Sequence, residues 1–314
     1  MIQVERHGPV IAIRMARGLL GRPWAWTTAY WVDGLLIDSG PHCTAAQLVK
    51  VLEQLPPERV VITHAHEDNI GGLAAIHARF PRTPIYASSH ALPVIKQPAR
   101  LHPQLYRRLM WGIPAAYPGI QAIEELGATV STREYTFRII ETPGHTPDHL
   151  SFFEPHQRWL FSGDAFIGGA ERMWAREIDL FGVLGTLHTL AGLRPERLFP
   201  NSGEVRRNPR PEISEKIGSL MRLCKEVARL DAAGTSNDDM VTRLFEGESP
   251  LRVWTAGHIS AANLIKACRS YNALVAAHDA PGHGAPPAAS QPPLPPDPTD
   301  SSANESADRG DVVR

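Results

Sequence analysis

Residues 63–72 of the 314-residue chain read THAHEDNIGG and lie between a predicted buried strand and a predicted short helix. In an extended segment successive side chains alternate, so those of His64, His66 and Asp68 project to one side. Two imidazoles and a carboxylate that converge in this way can bind a divalent ion. The glycines fix this loop at the carboxyl edge of a predicted sheet, where α/β proteins place their sites. The pattern therefore predicts metal ligands.

A second group of residues suited to metal binding is spread over TPGHTPDH, residues 142–149, and SGD, residues 162–164. Two apolar strands joined by a turn separate the two stretches. In an antiparallel hairpin, a residue just before the first strand and one just after the second lie at the same end. We therefore expect His145 and Asp164 to meet and to share a metal ion. His149, four residues after His145, is expected to support a ligand and not to bind the metal itself.

The pattern around these motifs is α/β. Short strands in the first forty residues predict a meander, in which Asp33-Gly34 is a hairpin signal, and a βαβ rhythm follows. A second strand-rich half begins after residue 127, and helical periodicity runs over 211–277. Two strand-rich halves, each followed by helices, predict an α/β fold with four layers, an αββα sandwich, in one domain over 1–277.

Two segments depart from this pattern. Residues 91–126 interrupt the rhythm with aromatic residues among several prolines, which predicts an insertion or lid. Its aromatic side chains and two residues of a facing segment are the predicted substrate-binding groups: Tyr106, Trp111, Tyr117 and Trp174, with Arg172. Residues 278–314 are rich in Pro, Ala and Ser and hold almost no large apolar residues, which predicts a disordered tail.

Composition argues against several classes of protein. Lys and Arg number 32 against 33 Asp and Glu, so the net charge offers no long-range attraction to nucleic acid or to an anionic membrane. No apolar run approaches the roughly 20 residues that span a bilayer, and the first residues lack the pattern of a signal peptide. The three cysteines are widely spaced, which favours a reducing compartment. We expect a cytoplasmic protein that binds a small-molecule substrate, with no nucleic acid or membrane partner; oligomerisation stays open.

The stretches THAHEDNIGG, ETPGHTPDHL and LFSGD, in that order, resemble the motifs of the metallo-β-lactamase superfamily over roughly residues 8–205. The resemblance implies that a first metal ion is held by the three histidines, His64, His66 and His145, and that the carboxylate after the hairpin, Asp164, bridges two metal ions. It further implies that Asp68 holds a second metal ion and steers the attacking water. Asp38, in LLIDSG, resembles the family's supporting carboxylate, which contacts ligands without binding the metal.

Two departures from the family's pattern concern the second metal ion. The first motif ends in Asn69 where the family has histidine, and an amide is a poor zinc ligand, so a helix N-cap is the favoured role. Ser202 stands where the family has its late histidine. His258 is an alternative ligand for the missing imidazole, whereas His283 matches a family motif within the predicted tail by coincidence. We expect one tightly held Zn²⁺ and a doubtful second site, with Fe or Mn as alternatives.

The ligand set and the resemblance predict a metal-dependent hydrolase. The ion would activate water for attack on an ester, thioester, lactone or similar bond of a small substrate, with Asp68 as the catalytic group that orients this water or takes its proton. Two alternatives stay open. The loss of second-site histidines also suits a mononuclear non-haem iron dioxygenase of the persulfide type, and it also suits a non-catalytic metal-binding sensor.

Overall fold

The computed structural model describes residues 1–19 and 21–278. The strands are β1 (Ile2–His7), β2 (Val10–Met15), β3 (Gly18–Leu19), β4 (Arg22–Pro23), β5 (Thr27–Val32), β6 (Leu35–Ile37), β7 (Arg59–Val61), β8 (Ile85–Ala87), β9 (Gln121–Ala122), β10 (Thr129–Ser131), β11 (Thr136–Glu141), β12 (Leu150–Glu154), β13 (Trp159–Gly163), β14 (Trp174–Ala175), β15 (Arg197–Pro200), β16 (Arg206–Arg207) and β17 (Ile259–Ser260). The α-helices are α1 (Ala45–Leu52), α2 (Glu67–Ile70), α3 (Leu73–Arg79), α4 (Leu92–Lys96), α5 (Leu105–Trp111), α6 (Leu180–Gly192), α7 (Arg210–Ala232), α8 (Asn237–Phe245), α9 (Leu251–Trp254) and α10 (Ala261–His278). Short 3-10 helices span His42–Thr44, Pro98–Leu101 and Ile123–Leu126.

Two mixed β-sheets form the centre of the fold. The first has seven strands in the order β1-β2-β5-β6-β7-β8-β9, antiparallel up to β6 and parallel from β6 to β9. The second has six strands in the order β10-β11-β12-β13-β15-β16, in which only β13 and β15 are parallel. Asp33 and Gly34 form the turn between β5 and β6 with φ of 46° and 84°, as a type I′ hairpin requires.

Each sheet packs against the other sheet on one face and against helices on the opposite face. Along β2, Val10 and Ala12 belong to the apolar layer between the sheets, where Phe152 of the second sheet meets them. Ile11 and Ile13 belong instead to the layer shared with α1 and α3, because side chains alternate along a strand. The order helix, sheet, sheet, helix confirms the predicted αββα sandwich.

Helices α6, α7, α8 and α10 cover the outer face of the second sheet. Helix α7 buries one stripe of residues at helical spacing, Ile213, Leu220, Cys224, Val227 and Leu230. Ser260 caps α10, since its hydroxyl accepts the N–H of Asn263 at 3.1 Å. The periodicity over 211–277 therefore corresponds to the outer helical layer.

The structure does not separate residues 91–126 from the core. Ile95, Tyr117 and Ile120 belong to the apolar layer under the seven-stranded sheet, and β9 is the edge strand of that sheet. The prediction of an insertion or lid over the whole segment is therefore wrong, because its apolar side chains gain more from burial in the core than from a loop on the surface. Within this segment, large apolar side chains are exposed to solvent on α5, at Leu105 and Leu109, and just after it, at Ile113.

Residues 1–274 form one compact unit. Apart from His278, with which α10 ends, the predicted tail at 278–314 lies outside the described residues, and so does His283. Within the part that the structure describes, no helix combines the length and the apolar character needed to cross a membrane.

Candidate metal centre

The candidate site lies at one edge of the two sheets, where four chain segments meet. His64 and His66 follow β7, His145 precedes β12, and Asp164 follows β13. In the β12–β13 hairpin Glu154 pairs with Trp159 at the turn, so the opposite ends of both strands face the site. A side chain at Gly71 would collide with the backbone of Pro41 and His42, which explains why glycine allows the loop after β7 to pack so closely.

Four of the sequence-predicted ligands are brought together. His66 Nδ1 lies 3.0 Å from His64 Nε2 and 3.1 Å from His145 Nε2. Asp164 Oδ2 lies 3.7 Å from His64 Nε2 and 3.6 Å from His145 Nε2. One ligand atom from each of these residues lies within 4.8 Å of all the others, a grouping that can hold a metal ion.

The geometry of these atoms fits a tetrahedral ion. Zinc–nitrogen bonds of about 2.0–2.1 Å place tetrahedral ligand atoms about 3.3 Å apart, close to the separations seen here. His66 Nδ1 faces two other ring nitrogens, and because a ring nitrogen has either one proton or one lone pair, it can form a full hydrogen bond with only one of them. In addition, Asp164 Oδ1 is buried with no hydrogen-bond partner among the described residues. A cation between the four groups would satisfy the facing ring nitrogens and balance the charge of the buried Asp164 carboxylate.

The electrostatic environment keeps the imidazoles neutral. Burial is the main cause that holds the pKa of His64 and of His66 well below the usual range, and it lowers the pKa of His145 to about 4. Burial also raises the pKa of Asp164 to about 6, although Ser202 acts in the opposite direction. Neutral imidazoles present free lone pairs, which is the state that metal binding requires.

Asp38 supports His64 through Thr63, as the resemblance implies for this carboxylate. Asp38 Oδ1 accepts the backbone N–H of Thr63 at 2.8 Å, and Oδ2 accepts the Thr63 hydroxyl at 2.9 Å. The Thr63 oxygen lies 3.0 Å from His64 Nδ1. If the hydroxyl donates to Asp38, its oxygen accepts Nδ1–H from His64, and Nε2 is left unprotonated toward the ligand group. Asp38 has φ of 65°, a left-handed conformation that aspartate tolerates better than most residues.

His149 supports Asp164 and is not among the four ligands. Its Nε2 accepts the backbone N–H of Asp164 at 3.1 Å, so Nδ1 carries the proton and lies 2.8 Å from the Thr142 hydroxyl. Gly163 is required beside it: its φ is +51°, and a Cβ there would lie 2.6 Å from His149 Nε2. This arrangement fixes the strand end that carries Asp164.

Asn69 has a different role from the predicted N-cap. Helix α2 begins at Glu67 with His66 as its N-cap, so Asn69 lies inside the helix. The Asn69 side-chain oxygen accepts a hydrogen bond from Asn201, and its Nδ2 lies 3.1 Å from His64 Nε2. An NH₂ group has no lone pair to give a metal ion, so this orientation does not suit a ligand.

Asp68 lies beside the four ligands but not among them. Helix α2 ends the extended geometry after His66, so the alternation predicted over residues 64–68 stops before Asp68. Its Oδ1 lies 3.7 Å from Nη2 of Arg107, a residue of α5. Burial raises the pKa of Asp68 to about 7, while the Arg107 charge acts in the opposite direction.

His258 is placed outside the ligand group. Its Nε2 lies 2.7 Å from a carboxylate oxygen of Glu177, and its Nδ1 lies 2.7 Å from the Tyr106 hydroxyl. Both ring nitrogens therefore have protein partners, and the arrangement does not support the predicted ligand role. It forms instead a hydrogen-bonded chain that links α5 to the turn before β17.

Three of the four predicted substrate-binding aromatics are buried. Tyr117 belongs to the apolar layer under the first sheet, Trp174 belongs to the layer under the second, and Trp111 is 8% exposed. These positions do not support a substrate-binding role for the three residues, since rings that are more than nine-tenths buried offer little surface to a substrate. Arg172 donates to the backbone carbonyl of Phe245 at 2.5 Å. Tyr106 alone among the four aromatics remains partly exposed.

Sequence reasoning missed three residues of this site. Arg107 and Asn201 carry no motif, because they reach the site from segments distant in sequence. Asp148, however, lies within the quoted second motif, and its Oδ2 accepts the backbone N–H of Ala65 at 2.8 Å. It thereby fixes the loop that carries His64 and His66, a role that polar residues in a motif often have.

Comparison with known proteins identifies a superfamily and several relatives. The profile of the metallo-beta-lactamase superfamily matches residues 27–231. A beta-lactamase-like protein 2 homolog of Drosophila melanogaster is 24% identical over 242 residues, which are 71% of this chain and 73% of that protein. A hydroxyacylglutathione hydrolase of Enterobacter sp. (strain 638) is 29% identical over 143 residues, 45% of each chain. A thioesterase of Emericella nidulans is 27% identical over 197 residues, 62% of this chain and 49% of that protein.

Solved structures show the same fold. A beta-lactamase domain protein from Burkholderia ambifaria has a TM-score of 0.65 at 18% identity, covering 87% of this chain and 89% of that one. A metallo-beta-lactamase family protein from Thermus thermophilus has a TM-score of 0.61 at 17% identity, covering 86% and 94%. At sequence identities this low, the similarity to these structures shows a shared fold and nothing about function.

Proposed function

Because the chain belongs to the metallo-beta-lactamase superfamily, we propose that it is a zinc-dependent hydrolase of a small ester-type substrate, with a thioester as the first class to test. The matches to relatives named hydroxyacylglutathione hydrolase and thioesterase support this class, although the matched region spans only about half of each of those proteins. The observation that carries the proposal is the convergence of three neutral ring nitrogens and one carboxylate oxygen.

The ligand atoms are His64 Nε2, His66 Nδ1, His145 Nε2 and Asp164 Oδ2. A divalent ion held by them would polarise the scissile carbonyl and lower the pKa of a bound water toward neutrality. The chain's own contribution is to fix these atoms before the substrate arrives. Asp38, through Thr63, fixes the tautomer of His64, and His149 fixes the backbone of Asp164.

Asp68 is the proposed proton acceptor for the attacking water. It lies next to the ligand group, and Arg107 holds its carboxylate at one oxygen. Tyr106, partly exposed and hydrogen-bonded to His258, is the aromatic residue that we propose as a substrate contact. Tyr106 and Arg107 are adjacent in the sequence, so helix α5 carries both the proposed substrate contact and the cation beside Asp68.

The test is to purify the chain without added metal, determine its metal content, and measure hydrolysis of matched thioesters, oxygen esters and lactones. We expect zinc and thioester hydrolysis that chelation removes and zinc restores. His145→Ala should lose both metal and activity, whereas His156→Ala, an exposed histidine at the opposite end of the β12–β13 hairpin, should keep both. Iron with oxygen consumption by a thiol substrate would support the dioxygenase instead, and a chain that binds metal without turnover would support a sensor.

A further inference from the structure

A buried cluster of charges lies beside the metal centre and is not accounted for by its four ligands. Glu67 and Asp68, at the start of α2, are both buried. Arg107 donates to Glu67 Oε2 from Nε at 2.8 Å and from Nη2 at 2.5 Å, and Nη2 also lies 3.7 Å from Asp68 Oδ1. The Arg107 side chain is only 15% exposed, so its contacts are screened little by solvent.

The charge of Arg107 is permanent in this setting. Burial alone would lower the pKa of Arg107, but the neighbouring Glu67 and Asp68 raise it above its ordinary value. Two donor atoms on one carboxylate oxygen fix the guanidinium plane, and Trp111, buried at the end of the same helix, anchors α5. The positive charge therefore has a fixed position next to Asp68.

Among the residues that the structure describes, the same region does not offer the imidazole ligands that a second metal ion would need. Asn69 turns its NH₂ toward His64, and Ser202 offers a hydroxyl where an imidazole would be needed. His258 has protein partners at both ring nitrogens. The Arg107 guanidinium lies 3.7 Å from Asp68 Oδ1, so a dication bound to Asp68 would be close to a second positive charge. Two like charges that close together in a buried site repel strongly.

We propose that Arg107 provides the second positive charge of this centre, so that the protein binds one metal ion and not two. The inference rests on the proposed function, because it takes the four-ligand metal centre as given. In this role Arg107 is a positioning residue: hydrogen-bonded to Glu67, it places a positive charge 3.7 Å from Asp68 Oδ1 and partly offsets the two carboxylates without binding the ion.

The experiment measures zinc bound per chain as a function of buffered free Zn²⁺, in the wild type, Arg107→Met and Arg107→Lys. We expect one equivalent in the wild type and in Arg107→Lys, which keeps the charge. In Arg107→Met a second equivalent should bind at least about tenfold more tightly than in the wild type, because the repulsion is gone and two carboxylates are uncompensated. The matched control is Arg79→Met, which removes an exposed partner of Glu53 and should leave the stoichiometry unchanged.

Removing one partner of a buried ion pair can prevent folding. The double variant Arg107→Met with Glu67→Gln removes both charges of that pair and still leaves Asp68 without its cation, so it gives the same readout if the single variant does not fold. Two tightly bound zinc ions in the wild type, or equal second-site affinities in the wild type and in these variants, would overturn the inference. A wild type that binds no zinc refutes the metal centre and the inference together. If the wild type binds one zinc ion and the variant binds a second one more tightly, but neither hydrolyses thioesters, the inference about Arg107 stands and only the proposed activity is refuted.

Discussion

The substitution Asp38→Asn tests whether the tautomer of His64 is set through Thr63. Asparagine has nearly the same shape as aspartate and tolerates the φ of 65° found at this position. Its side-chain oxygen can still accept the Thr63 N–H, which lies 2.8 Å from Oδ1 in the wild type. Its NH₂ group would then face the Thr63 hydroxyl, which lies 2.9 Å from Oδ2 in the wild type.

The new NH₂ group replaces the nearer of the two acceptors of the Thr63 hydroxyl, at 2.9 Å against 3.1 Å for Oδ1, so we expect this hydroxyl to reverse. It would accept a hydrogen bond from the new NH₂ group and donate its own proton to His64 Nδ1, 3.0 Å away. His64 would then carry its proton on Nε2, the atom that faces His66 and Asp164. Restoring the metal-binding tautomer breaks one buried hydrogen bond, which costs about 1–3 kcal/mol and corresponds to a loss of roughly 5- to 150-fold in zinc affinity.

Competition with a chromophoric chelator measures that affinity, and urea unfolding of the metal-free protein measures stability. We expect the metal-free variant to unfold within about 1 kcal/mol of the wild type, because the substitution removes no volume. Asp33→Asn, in the β5–β6 turn with φ of 46°, is the matched control and should keep wild-type affinity. A folded Asp38→Asn protein that binds zinc as tightly as the wild type would refute this account of the relay.

Further predictions concern pH, packing and substrate contact. Burial raises the pKa of Asp164 to about 6, so this carboxylate holds a proton below that pH. Zinc affinity, measured by chelator competition, should therefore fall about tenfold per pH unit below pH 6 and level off above it. An affinity that stays constant from pH 5 to 8 would contradict the raised pKa of Asp164. Trp111→Ala should lower the free energy of unfolding by about 3–5 kcal/mol in a urea titration, since the ring is buried; a change under about 1 kcal/mol would place it at the surface. Tyr106→Ala removes both the ring and the hydroxyl that contacts His258, and it should raise KM for the thioester with zinc content unchanged. An unaltered KM would exclude the proposed contact.

Arg107 and His258 show what could not be predicted from the sequence around the site. Arg107 lies in a segment without a motif, and its partner Glu67 is 40 positions away. His258 precedes a capped helix, and this position in the sequence does not indicate whether its side chain points toward the metal centre or away from it. Only the structure shows that its two ring nitrogens contact Tyr106 and Glu177. The same limit applies to Tyr117 and Trp174, because an aromatic residue in an irregular segment suits a pocket or a core equally well until its neighbours are known.

The sequence predicted the αββα layering and, together with the family resemblance, the grouping of His64, His66, His145 and Asp164. These depend on local rules: side chains alternate along a strand, helices repeat at 3.6 residues, and an antiparallel hairpin returns the chain to its starting edge. Only the tertiary structure decided the surroundings of these residues, including the place of Arg107, the contact between Asn69 and Asn201, and the burial of Ile95, Tyr117 and Ile120 in the core. Such contacts join segments far apart in the chain, and their geometry follows from how the layers pack, which no local pattern encodes.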